Sequence, residues 1–276
     1  MSPVPSTLRV VEDGPVARVT FDHAPINLFD PAMIEDLRAL VTRLAARPDL
    51  GVVVFDSADP DFFVGHADLN LFLDPVESVP PKPTRLTALQ QLFEDLRALP
   101  QATIAVVAGR TSGAGPEIVT SCDMAFAVRG AAVFSHLEVA LGLLPGATGT
   151  QRLPKLLGRS RALEVILGCD EFDADLAASY GLVNRALDAA EAGPFVERLV
   201  GRLATFAPAA IAQAKSAVAA AELPTPLGLL EEAHAANHLL VGGEAQRRMR
   251  RFLDLGGQRP EFERHGLAEA LTRLAE

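Results

Sequence analysis

Two glutamates, Glu117 and Glu138, stand 21 positions apart in separate segments. Glu117 closes the stretch Ile104-Ala-Val-Val-Ala-Gly109-Arg-Thr-Ser-Gly113-Ala114-Gly115-Pro116-Glu117, which continues as Ile-Val-Thr-Ser-Cys122-Asp123. A buried strand that ends in tiny residues and turns at once into a helix lets a ligand approach the backbone closely. Free N–H groups at a helix start favour negative charge. Such a turn can therefore hold an oxygen that becomes negative during a reaction. Pro116 lacks an N–H, which costs little in a first helical turn. Glu117 follows Ala114 by three residues and can hang over the same pocket. The same residues also read as a Gly/Ala-rich turn that merely packs a helix on a sheet. Glu117 is then a helix-start glutamate stabilised by the dipole, and Glu138 a surface residue after a strand. Residue chemistry alone leaves both readings open.

Other chemistries fit less well. A nucleophile elbow around Ser112 needs glycine where Arg110 stands, and a dinucleotide fingerprint starting at Gly113 needs its third glycine at Ile118. His234 and His238 have a zinc-compatible spacing, but Ala235 stands where a zinc-protease helix carries glutamate and no third ligand is evident, so no metal is expected. The basic cluster Arg247-Arg248-Met249-Arg250-Arg251 reads as a solvated or subunit-contacting helix face.

The elements that must position these residues follow from periodicity. Residues 8–11 and 16–21 are short β-type runs around Gly14-Pro15, a hairpin. Asp30-Pro31 starts a helix as N-cap and N1, with apolar spacing at Met33, Ile34, Leu37, Leu40, Val41 and Leu44. Residues 51–55 and 103–108 are buried strands, and 124–128 and 132–134 are further strands. Residues 59–71 read as a loop, 74–83 as a proline-rich loop, 86–99 as an amphipathic helix, 109–115 as a tight turn and 116–121 as a short helix. From Leu153 onward the pattern is mainly helical. Strands alternating with helices, then a helical tail, predict an α/β fold, with a core over 1–200 and a C-terminal helical region over 201–276.

Composition narrows the partners. The 276 residues suit one large domain or a core with a smaller appendage, and 49% are apolar. The formal net charge of -10 argues against nucleic acid as a partner. Lysines occur only at Lys82, Lys155 and Lys215, so phosphate contacts are expected from arginine or backbone N–H groups. Cys122 and Cys169 suggest no disulfide framework, the first residues do not look like a signal peptide, and no apolar run approaches the ~18 residues of a membrane span. A cytoplasmic protein is expected.

The stretch 104–123 resembles the enoyl-CoA hydratase/isomerase (crotonase) signature at essentially every constrained position. The resemblance extends to Pro25-Ile26-Asn27-Leu28, similar to the family's loop along the CoA moiety, and to Phe63-Val64-Gly65-His66-Ala67-Asp68-Leu69, similar to its first oxyanion loop. It continues through Glu138, Gly142 and the run from Pro145-Gly146-Ala147-Thr148-Gly149 to Pro154, and through 177–183. It covers residues 8–220. The resemblance implies a crotonase-like spiral of ββα units whose C-terminal helices build trimers or dimers of trimers. It also implies an acyl-CoA thioester as substrate, with no cofactor beyond the coenzyme A that the substrate carries. By position, the thioester carbonyl lies between the N–H groups of Ala67 and Ala114. Ile26, Gly65, His66, Asp68, Leu69, Gly113 and Gly146 line the substrate. Glu117 would act as base on a water and Glu138 would protonate the α-carbon, as in a 2-enoyl-CoA hydratase. Family isomerases work with the glutamate matching Glu138 alone, which leaves a Δ3–Δ2 enoyl-CoA isomerase or a catalytically weak acyl-CoA-binding subunit as alternatives. Arg110, Arg85 and Arg251 could reach the CoA phosphates, and Lys215 a subunit interface. His66 stands where the family commonly has glycine, Ala114 replaces a glycine, and the interval to Glu138 is one residue longer than in typical hydratases and lacks the usual proline. Fatty-acid, amino-acid and aromatic degradation all use this scaffold.

Overall fold

Residues 52–55 are apolar without interruption because both of their faces are covered. Val53 and Phe55 face one buried cluster, and Val52 and Val54 face another. The same alternation recurs along the neighbouring strands: Ala105 and Val107 against Ile104, and Ala125 and Ala127 against Phe126 and Val128. This is the pattern of a parallel sheet sandwiched between layers. In this computed structural model the described residues are 7–68, 71, 86–139, 143–221, 247, 251, 254 and 255.

The large sheet has six strands. β1 (Leu8–Asp13) pairs antiparallel with β2 (Val16–Phe21). β3 (Val52–Ser57), β5 (Ala102–Val107), β7 (Met124–Val128) and β10 (Arg185–Leu187) then add in parallel, in the order β1-β2-β3-β5-β7-β10. A second sheet takes the short strands β4 (Phe62–Val64), β6 (Arg110–Ser112), β8 (Val133–Ser135) and β9 (Phe172–Asp173). Each long strand from β3 to β7 is followed by a short one and then a helix: α2 (Ala88–Arg97), α3 (Ala114–Val119) and α4 (Gly149–Leu157). That succession is the expected spiral of ββα units.

The helix α1 (Pro31–Ala45) begins where expected, with Asp30 Oδ1 accepting from the Met33 N–H at 2.9 Å. Its stripe Met33, Leu37, Leu40, Val41 and Leu44 is buried against the sheet. α5 (Arg159–Gly168) and α6 (Ala174–Tyr180) lead to α7 (Ala189–Leu203), which covers the opposite face through Ala192, Val196 and Val200. On α8 (Pro208–Ala220), Lys215 reaches Asp123 at 2.7 Å and donates to the Gln101 carbonyl at 2.6 Å. Asp123 also accepts from the Thr103 N–H and hydroxyl. The Cys122-Asp123 end of the signature thus ties α8 to the sheet within one chain.

The structure corrects several boundaries. Residues 59–71 contain β4, 109–115 contain β6, and the region after Leu153 contains β9 and β10. Strands this short show no alternation of their own, and their partners lie far away in sequence. α3 starts at Ala114 rather than 116, and α4 at Gly149 rather than 153. The loop expected over 74–83 lies outside the described residues. Among those described, no helix is long and apolar enough to cross a membrane.

Candidate functional site

Two backbone turns meet at the ends of β4 and β6. The loop before α1 is pinned to β4 by Asn27, whose buried amide donates to the carbonyls of Phe62 and Phe63 at 3.2 and 3.0 Å. The Gly65 N–H then donates to Ile26 O at 2.9 Å. Next, Phe29 and Ala67 form a parallel bridge in which Phe29 N donates to His66 O and Asp68 N donates to Phe29 O. The bridge uses groups on either side of Ala67, so the Ala67 N–H points to the opposite side of the chain. In the second turn, Ser112 N donates to Gly65 O at 2.8 Å and Gly113 N to Ser135 O at 3.0 Å. Gly113 has φ +52, a conformation that favours glycine, and the chain there turns into α3. Ala114 is therefore the first helical residue, and its N–H has no partner inside the helix. The turns are adjacent: a Cβ at Gly113 would stand 3.7 Å from the His66 Cβ. Ala67 and Ala114 thus offer two N–H groups from adjoining loops, an arrangement able to hold a developing oxyanion.

Glu117 lies on α3 and is only 3% exposed. Its Oε1 accepts three backbone N–H groups, from Ala147, Thr148 and Gly149, at 3.1, 2.8 and 2.7 Å. These open α4, so the carboxylate sits at a helix N-terminus. A Cβ on Gly149 would lie 3.1 Å from that oxygen and 2.7 Å from the Pro145 Cβ, so glycine permits the approach. Arg152 of α4 donates to the Ser121 hydroxyl, which in turn donates to the Glu117 carbonyl, and also to Phe93 O and Glu94 of α2. That network fixes α4 against α3. Burial pushes the Glu117 carboxyl above the ordinary carboxylate range. The N–H groups of Thr148 and Gly149 and the neighbouring His136 oppose the shift, and the charge of Glu138 adds to it. Three donors occupy Oε1, so a proton on Glu117 resides on Oε2.

Glu138 follows β8, whose end is locked to β6 by the Ser112–Ser135 hydroxyl contact at 2.7 Å. Its side chain is 13% exposed, and its Oε1 lies 3.1 Å from where a Gly113 Cβ would stand. The Gly113 turn brings the two glutamates to one site, because Glu138 lies over it and it opens the helix that carries Glu117, with Glu138 at the rim and Glu117 deeper. The longer interval before Glu138 does not carry it away from the Gly113 turn.

The remaining expected residues are distributed as follows. Ile26, Gly65 and Asp68 build the first turn, as described above. His66 is partly buried, with Nδ1 2.8 Å from the Ala67 carbonyl oxygen. Gly146 accepts from Gln90 Nε2 at 3.2 Å, and Arg110 is paired with Glu171 on the surface. Leu69, Gly142, Arg85, His234 and His238 lie outside the described residues, as does the middle of the 247–251 cluster. Sequence reasoning missed the cradle of N–H groups at residues 147–149 and the buried His136. The available signal was Gly149, a glycine in a run of small residues at a helix start.

The chain matches the family model for enoyl-CoA hydratase/isomerase over residues 12–254. It is similar to Pseudomonas aeruginosa DspI, with 32% identity, coverage of 92% of this chain and 97% of that one, and a TM-score of 0.82. A protein from Streptomyces avermitilis, provisionally named an enoyl-CoA hydratase, is 39% identical over 98% of both chains with a TM-score of 0.72. An enoyl-CoA hydratase from Bacillus anthracis is 25% identical, covering 90% of this chain and 96% of that one, with a TM-score of 0.81.

Proposed function

Because the chain belongs to the enoyl-CoA hydratase/isomerase family, we propose that it adds water to the double bond of a 2-enoyl-CoA thioester to form a 3-hydroxyacyl-CoA. One observation carries this reading: two glutamates, Glu117 on α3 and Glu138 over the Gly113 turn, adjoin a pair of loops that presents the N–H groups of Ala67 and Ala114. Water addition needs one proton taken and one given, and a place for negative charge between the two transfers.

In the proposed reaction Glu117 Oε2 takes a proton from water as the water oxygen bonds to C3. The electrons of the double bond move through C2 onto the thioester oxygen, which the Ala67 and Ala114 N–H groups hold. Glu138 delivers its proton to C2 and the carbonyl re-forms. The net change is water added across the bond, with one proton moved from Glu138 to Glu117 and returned through solvent. No cofactor is required beyond the CoA of the substrate. Assembly through residues 201–276 into a homotrimer or dimer of trimers is part of the same proposal.

The test is loss of the conjugated enoyl-thioester absorbance with a panel of short, medium and aromatic 2-enoyl-CoA esters. Turnover supports hydration. Conversion of a β,γ-enoyl ester without hydration would replace the reading by Δ3–Δ2 isomerisation, which Glu138 over the Gly113 turn could perform alone. CoA-ester binding with no turnover would leave an acyl-CoA-binding subunit.

The second donor can be tested separately. Ala114→Pro removes the N–H at the first helical position, where proline fits the helix backbone. It is expected to lower kcat by ~10²–10³ with the helical circular dichroism retained. A variant as active as the parent would remove Ala114 from the oxyanion site.

A further inference from the structure

His136 is buried to 1% exposure between β8 and Glu138, and neither ring nitrogen has a hydrogen-bond partner among the described residues. Its Nδ1 stands 3.4 Å from Glu138 Oε2, which is also buried and without a hydrogen-bond partner among those residues. Buried polar atoms are seldom left unpaired, and those that are call for an explanation. Here they face each other slightly beyond bonding distance, and catalytic hydrogen bonds often tighten only when substrate is bound. The two oxygens of Glu138 are also differently placed. Oε2 faces His136, while Oε1 lies over the Gly113 turn that leads to the Ala114 N–H.

We propose that His136 is a positioning residue, whose Nδ1 draws on Glu138 Oε2 so that Oε1 is presented to the α-carbon beside the thioester carbonyl. This rests on the acid–base reading above. A contact at Oε2 fixes the carboxyl plane of Glu138, so that Oε1 keeps its place over the Gly113 turn. The other titratable group beside both is Glu117, whose carboxyl burial raises above its ordinary value. His136 would therefore set how well Glu138 meets the α-carbon in either direction of the reaction. A histidine that only fills core volume would have no such effect.

The experiment compares His136→Met with His136→Gln. Both are unbranched and of similar length, but only glutamine keeps a side-chain N–H donor. The probe is butyryl-CoA in D2O, a saturated ester that can be neither hydrated nor isomerised. α-Deuterium incorporation is followed by NMR, and binding by calorimetry. The Met variant is expected to lose about tenfold or more in exchange rate at saturation, the scale on which a partner that orients a working group acts, with Kd within about twofold. The Gln variant is expected to recover most of that rate. Equal exchange by the two variants, whether at the parent's rate or equally reduced, would overturn the proposal and leave His136 a core residue. Absence of exchange in the parent would instead remove the acid–base reading itself, and His136's role with it.

Discussion

Glu117→Gln is expected to lower the rate of hydration of a 2-enoyl-CoA ester by ~10²–10⁴ while leaving the fold intact, since general acid–base groups typically contribute that much. Glutamine is nearly isosteric, and its carbonyl oxygen can take the place of Oε1, accepting from Ala147, Thr148 and Gly149. Its amide then stands where Oε2 was and can neither take a proton from water nor return one. The loss should fall on kcat rather than KM, because the N–H groups of Ala67 and Ala114 are untouched. Isomerisation of a β,γ-enoyl ester, if the protein performs it, should largely persist. Undiminished hydration by this variant would remove Glu117 from the chemistry.

The same substitution makes a stability prediction. Burial raises the Glu117 carboxyl above its ordinary value, so the folded state favours the neutral form. Below the ordinary value of 4.5 both states are protonated and the burial has no ionic cost. As pH rises from there through the folded value, the unfolded chain ionises more readily and the parent loses stability. Glutamine does not ionise. The melting temperature of Glu117→Gln minus that of the parent should be smallest near pH 4 and become more positive toward pH 8. A difference that shrinks with rising pH would show that the three N–H donors outweigh the burial.

Glu138→Ala is expected to remove hydration and isomerisation together, by ~10³-fold or more, because both reactions need a proton moved at the α-carbon. Its effect differs from that of Glu117→Gln in this breadth. Loss of its charge also takes away one of the influences that raise the Glu117 carboxyl, so Glu117 should ionise at lower pH in this variant. CoA-ester binding should survive, since the Gly113 turn is held by Ser135 and Gly65 rather than by Glu138. Retention of either activity would assign the α-carbon proton to another group.

The main elements and the two glutamates were legible in the residues themselves. Asp30-Pro31 caps and starts α1 through contacts three residues away, and a strand covered on both faces must be apolar throughout. The stretch 104–123 is a local pattern, because close backbone approach in a turn demands small residues wherever the rest of the chain goes. These features depend on propensity, capping and steric room, which act over a few residues. The environment of the glutamates was not legible. Glu117 receives its N–H donors from residues 30 to 32 positions ahead, and the three-residue strands β4, β6 and β8 exist only because they pair with one another. His136 looks like any polar residue after a strand until the folded chain buries it beside Glu138. Sequence by itself determined the elements and the residue types able to move protons. Only the tertiary structure decided which oxygen of Glu117 is occupied and what stands behind Glu138, because burial and hydrogen bonding across distant segments arise when the chain packs.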